Sequence, residues 1–407
     1  MLNGFNHTVK GASHETSGIV CQDASAYRTG NNYGMAVVAD GHGSKKHFRS
    51  NVGSEKAVQA ALDVVDECFA AGDNFIDNML RDPDRIIKKI EKKIIALWND
   101  SITEHFNANP YTDKEREKFT EEEFSQLKME SVYGTTLIAV VVTEFFTFGF
   151  QIGDGSLVVV YEDGNAELPM SYEESAPANV TASMCNTQAF SHFSSFALTD
   201  EIQPIAVFAS TDGLYTSFGS EEDFLDYHSM VTSQLTELET FDETIVKNLE
   251  KRAHYGTQDD ISLSCIFDPE LVGENLEAIN ETIEANRNRA AMRKAEKLAS
   301  LEKQKIKNAL RQKRQDTLLP NEIAEAEKER SRIEEQMKAQ SAAAEEPDTS
   351  ENKPEAPEAA IPEENISSSD TAGDTAVETD TEAESTAADV AEDDAVQEDA
   401  LKIEVND

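Results

Sequence analysis

The chain has 407 residues and carries 79 acidic side chains against 36 Lys and Arg, a net charge of −43. Such a balance repels a phosphate backbone and excludes a generic nucleic-acid binder. No run of about 18 apolar residues is present, so no membrane span is expected, and the start MLNGFNHTVKGASH lacks the basic patch and apolar stretch of a secretory signal.

Apolar residues concentrate in 1–268, enough for a sizeable core. In chain order, MAVVAD (35–40), TLIAVVV (136–142), FFTFGFQIGD (145–154), LVVVYE (157–162), IAVFAST (205–211) and ISLSCIF (261–267) have the Val, Ile, Phe and Tyr content of strands. Two of these are joined by only Thr143 and Glu144, and another short turn lies at Gly153–Ser156. Connections that short make antiparallel hairpins. Between the strands, 54–69 places Ala57, Ala61, Val64 and Val65 on one helical face. A longer helix over 84–106 repeats Ile87, Ile90, Ile94, Trp98, Ile102 and Phe106, and a third is expected over 221–253. Meanders alternating with helical segments predict sheets covered by helices rather than a doubly wound parallel sheet.

Three segments are expected from composition: a globular domain over 1–269, a charged, coiled-coil-like helical extension over 270–340, and an acidic tail over 341–407. Residues 287–314 hold eleven basic side chains and only Glu296 and Glu302 as acids. Pro320 is expected to break this helix, with Asn321 capping a second one. The tail has 22 acids, two Lys and no aromatic residue. Too little apolar surface is available there to offset the ordering entropy, and disorder is the expectation.

Four Asp residues stand beside the apolar strands at turns: Asp40 in VVADGHG, Asp154 in QIGDGS, Asp212 in ASTDGLY and Asp259 in TQDDIS. Asp23 in CQDAS is a fifth, upstream of the first strand. Asp40, Asp154 and Asp212 are each followed by Gly, which lets the backbone turn sharply and leaves a carbonyl accessible beside the carboxylate. Magnesium and manganese prefer such hard oxygen ligands. Any one Asp-Gly pair is also ordinary turn chemistry; the joint pattern, with His42 beside the first pair, carries the argument.

That pattern resembles the metal-dependent serine/threonine protein phosphatases of the 2C type, in order from about residue 8 to 268, and looks most like a bacterial subgroup. VVADGHG is similar to the family's first Asp-Gly motif, GTTLIAVVV followed by FGFQIGDGS to its central hairpin, ASTDGLY to its Ser-Asp-Gly motif and QDDISL to its terminal Asp-Asn motif. The resemblance implies an α+β fold, a four-layer αββα sandwich of two antiparallel sheets flanked by helix pairs. By motif, Asp40 is similar to the carboxylate that bridges two metals and Gly41 to its neighbouring carbonyl ligand. Asp212 and Asp259 match the other ligands, Asp23 a ligand or outer acidic position, and Asp154 the residue that helps hold a third, weaker ion. His42 stands where several members place a general acid. The implied cofactors are two Mn2+ or Mg2+ ions and a third.

Several positions depart from the family pattern. No Arg stands in Ser17–Gln22 to grip substrate phosphate, and His14, Lys10 and Arg28 are the alternatives. Gln22 stands where many members have Glu, Gly155 and Ser156 replace a common Ser-Arg, and Asp260 replaces a common Asn. Cys21, Cys68, Cys185 and Cys265 form no CxxC pair and no CxxxxxR loop, so neither zinc, a disulfide framework nor a cysteine nucleophile is expected.

The resulting expectation is a phosphatase that hydrolyses phosphoserine and phosphothreonine in proteins by a metal-activated water. Its partners would be phosphorylated proteins opposed by a serine/threonine kinase, with a protein partner for the helical extension. A reducing cytoplasm is the expected location. The alternative is a phosphatase-like scaffold that binds partners through the extension and tail.

Overall fold

A computed structural model describes residues 1–170, 181–199 and 203–343. Among the described residues the strands are β1 (Asn3–Val9), β2 (Ala24–Thr29), β3 (Tyr33–Ala39), β4 (Leu137–Thr143), β5 (Thr147–Ile152), β6 (Ser156–Val160), β7 (Ala166–Glu167), β8 (Ser194–Leu198), β9 (Ala206–Ser210) and β10 (Ile261–Phe267). They form two antiparallel sheets, ordered β1-β10-β9-β6-β7 and β2-β3-β4-β5-β8. The β4–β5 hairpin pairs Val142 with Thr147 across the Thr143–Phe146 turn. The β6–β9 pair sets Ser156 opposite Ser210.

Both faces of each sheet are covered, which explains why β3 and β4 read as unbroken apolar runs although antiparallel strands often alternate. Ala36, Val38, Ile138 and Val140 point inward to meet Leu157, Val159, Val207 and Ile266 of the other sheet. Met35, Val37 and Ala39 face out to the helices Ser50–Ala70 and Pro83–Ala108, where Trp98 and Ile94 are fully buried. The β1-β10-β9-β6-β7 sheet is covered by Glu221–Ser233 and Leu238–Tyr255. Two helices therefore stand where one was expected over 221–253. Leu235, between them, is 1% exposed and sits in the same core. The architecture is the αββα sandwich.

The core extends beyond residue 269. Val272, Ile279 and Ile283 are buried in the second helical layer, and Met1–Ala290 packs as one unit. The compact unit thus runs past the boundary expected at 269, because the first turns of the next helix supply core side chains. That helix runs Leu276–Ala343 and continues through Pro320, which overturns the expected break. Proline there withholds an N–H from the Asp316 carbonyl. On a helix exposed at Lys313 and Glu322, water can take that carbonyl instead. The acidic tail beyond Ala343 lies outside the described residues. Among the described residues, no helix is long and apolar enough to cross a membrane.

Candidate metal centre

Three strand ends meet at one end of the sandwich. Asp40 follows β3, Asp154 sits in the β5–β6 turn and Asp212 follows β9. Each offers a carboxylate oxygen, and these oxygens lie within 4.8 Å of one another. The backbone around them is tightly held. The Asp40 N–H donates to Thr136 Oγ1 at 2.9 Å, while its carbonyl accepts from Thr136 N at 2.8 Å and Thr135 Oγ1 at 2.9 Å. Gly153, at φ 116°, makes the turn before Asp154, and a Cβ there would lie 2.4 Å from Thr136 Cγ2. Asp154 Oδ2 also accepts from Thr181 Oγ1 at 2.7 Å.

The charges are costly in this arrangement. Burial first, then Asp154 and Asp259, push the Asp212 carboxyl up to about 6. Asp40 is pushed well up by burial and then by Asp23, Asp212, Asp259 and Asp154. Asp23 is raised by burial and then Asp260. Such a cluster of raised carboxyls, all hard oxygen donors, fits divalent cations, whose charge removes the repulsion.

The other expected residues divide into those near this cluster and those committed elsewhere. Asp259 is close enough to raise both Asp40 and Asp212, but stands outside the trio of converging oxygens. Asp23 is 8% exposed and accepts from Thr211 Oγ1 at 2.8 Å, which ties the start of β2 to the end of β9. Gly41 is buried and pairs with Thr135 across an isolated bridge. His42 is half-buried, and its ring centroid lies 4.9 Å from that of His47. Burial, chiefly, keeps it below the ordinary histidine value, although Asp154 acts in the opposite sense.

The two residues expected to grip phosphate, Arg28 and His14, lie outside the trio of converging oxygens. Arg28 pairs with Asp66, which also accepts from the Tyr33 hydroxyl, and lies 3.9 Å from Asp63. It stands about 16 Å along the strand from Asp23. His14 Nδ1 stands 3.0 Å from Asp260 Oδ2. Each of the two therefore stands beside an acid distant in sequence, Asp66 for Arg28 and Asp260 for His14. Burial, then Asp260 and Asp23, push the Cys21 thiol far above its usual value, which disfavours the thiolate.

A residue missed by the sequence argument is Lys46. It is exposed and has no ion-pair partner among the described residues, and its charge acts on both His42 and His47. Its neighbours are pinned. Lys45 Nζ reaches Glu123 at 3.0 Å, His47 Nδ1 donates to the Ser131 carbonyl, and Arg49 pairs with Glu115 at 2.7 Å and donates to the Tyr133 hydroxyl at 3.0 Å. The Arg49 bonds are the leading cause that takes Glu115 down to about 2. Two successive Lys in SKKHF were the available signal, four residues after His42.

Comparison with known proteins places the chain. The family profile described as protein phosphatase 2C matches residues 10–250. The match covers more than half of the sequence, and the chain belongs to the protein phosphatase 2C family. Among solved structures, a serine/threonine phosphatase of S. agalactiae is similar at 15% identity, over 66% of this chain and 99% of that one, with a TM-score of 0.41. A Mycobacterium tuberculosis serine/threonine phosphatase is similar at 14% identity, over 65% and 98%, also at 0.41. A C. elegans sex determining protein is similar at 12% identity, over 68% and 67%, at 0.41. A search of curated proteins finds no matching sequence.

Proposed function

We propose that this chain is a metal-dependent phosphatase that removes phosphate from phosphoserine and phosphothreonine in proteins phosphorylated by a serine/threonine kinase. The observation that carries the reading is the convergence of Asp40, Asp154 and Asp212 within 4.8 Å, in a chain of this family. Asp40, the Gly41 carbonyl, Asp212 and Asp259 would hold two Mn2+ or Mg2+ ions, with Asp23 as a further ligand or supporting acid and Asp154 helping to hold a third. Bound there, the ions would supply a water of lowered pKa and positive charge to offset that of the phosphoryl group. His42 delivers a proton to the departing serine or threonine oxygen, which leaves poorly as an anion. Held below its usual value, its imidazole acts through the protonated fraction at neutral pH. Lys46 offers a positive charge to a phosphate oxygen, in the place of the missing Arg.

The test is release of phosphate from para-nitrophenyl phosphate and from a phosphothreonine peptide, with and without manganese. Manganese-dependent turnover of both is expected. No turnover with any divalent ion would leave a phosphatase-like binding protein and sink this reading.

A further inference from the structure

Gln22 lies between the helix Ala12–Ser17 and β2 and is 8% exposed. Its N–H donates to Asp260 Oδ2 at 2.7 Å. Its carbonyl accepts from Gly41 N at 3.1 Å and from Ser54 Oγ at 2.6 Å. The side-chain nitrogen donates to Ser50 Oγ at 2.6 Å and to the His42 carbonyl at 3.3 Å. One buried residue thus holds Gly41 through its backbone and His42 through its side chain. The approach is close enough to require glycine, since a Cβ on Gly41 would lie 2.6 Å from the Gln22 carbonyl.

The chemistry of the contact decides which side chain fits. A backbone carbonyl only accepts, so the amide nitrogen must face His42. Oε1 then lies on the other side, buried and without a donor. A carboxylate of the same shape has no proton to give and would set an anionic oxygen against the His42 carbonyl. The negative charge instead stands at Asp260, 3% exposed, where it accepts from Gly11 N at 2.8 Å as well as from Gln22 N. The two positions that depart from the family's common Glu and Asn are therefore in direct contact. The donor stands where a carbonyl needs it, and the acid stands where backbone N–H groups need it.

We propose that Gln22 is a positioning residue whose side-chain amide holds the Asp40–Gly41–His42 turn in the geometry that presents His42 to the leaving group. The proposal rests on the phosphatase reading for its kinetic consequence, while the clamp itself is a property of the folded chain.

The experiment compares full-length wild type with Gln22→Glu and Gln22→Ala. Manganese-dependent kcat is measured on the phosphothreonine peptide and on para-nitrophenyl phosphate. Backbone amide exchange of Gly41 and His42 is measured separately in metal-free protein. Gln22→Glu should lower peptide kcat by about 10- to 100-fold. The aryl ester should lose far less, because nitrophenolate leaves without a proton. The Gly41 and His42 amides should exchange about tenfold faster as the turn loosens. Gln22→Ala removes the donor without adding charge and should give the same pattern, so it decides the matter if the Glu variant does not fold. Equal losses on both substrates, or unchanged exchange at Gly41 and His42, overturn the proposal. Should wild type hydrolyse neither substrate, the phosphatase reading fails, and the exchange measurement still decides the clamp.

Discussion

Asp212→Asn should make the metal-free protein more stable at pH 8 and remove catalysis, two effects of deleting one charge. Folding lifts the Asp212 carboxyl from 3.8 to about 6, through burial first and then Asp154 and Asp259. The folded state therefore holds this proton more tightly than the unfolded state does. The group costs nothing below about pH 3.8, and its cost is complete above about pH 6. At pH 8 the cost is at most about 3 kcal/mol. An amide keeps an oxygen for the Gly213 N–H while dropping the charge that faces Asp154 and Asp259. A domain of this size moves its unfolding midpoint by about 2–4 °C per kcal/mol, so a rise of several degrees is expected. Scanning calorimetry in EDTA should show that rise at pH 8 and almost none near pH 4, where the wild-type carboxyl is already protonated. Manganese at pH 8 should reverse the order. Ligand at about a hundred times its Kd adds about 2.7 kcal/mol to a protein that binds it, and the variant should gain much less. An Asn variant that is less stable than wild type in EDTA at pH 8, or that keeps near-normal turnover with manganese, refutes this account of the site.

Other expected outcomes follow from the same geometry. His42→Ala should lower turnover of the phosphothreonine peptide by about 10²–10⁴-fold and of para-nitrophenyl phosphate far less; equal losses would assign His42 to positioning or metal binding. Lys46→Ala should raise KM for the peptide about tenfold and Lys46→Arg should restore it, as steady-state kinetics will show; an unchanged KM removes Lys46 from the phosphate site. A chain ending after Ala290 should fold and bind manganese in calorimetric titration. One ending at 269 loses Val272, Ile279 and Ile283 from the core, each worth about 1.5–3 kcal/mol, and should unfold at a clearly lower temperature. Equal midpoints for the two truncations would return the boundary to 269.

Much of the fold was legible because it depends on local pattern. The runs around 35–40, 136–142 and 261–267 are strands buried on both faces, and their uninterrupted apolar content shows it. Strands β1 and β2 were not expected, since NGFNHTV and ASAYRT mix polar and apolar residues as sheet-edge strands do. In the sequence the start of the long helix reads as part of a charged extension because Ile279 and Ile283 sit among Glu and Asn, and only packing reveals that their face is buried.

By itself the sequence determined that Asp-Gly pairs end the apolar strands, and that hard-cation chemistry was available there. That information is local: an acid, a glycine and the strand before them. Tertiary structure decided which acids converge. Asp40, Asp154 and Asp212 come together from β3, the β5–β6 turn and β9, while Asp260 turns to the N–H groups of Gly11 and Gln22. It also decided which basic side chains stand beside acids. Arg28 is held by Asp66 and His14 stands beside Asp260, partners 38 and 246 positions away in the chain, while Lys46 lies near His42. The physical reason is that a charge's role depends on what lies within a few ångströms of it, and the two sheets bring together residues whose sequence separation carries no trace of the contact.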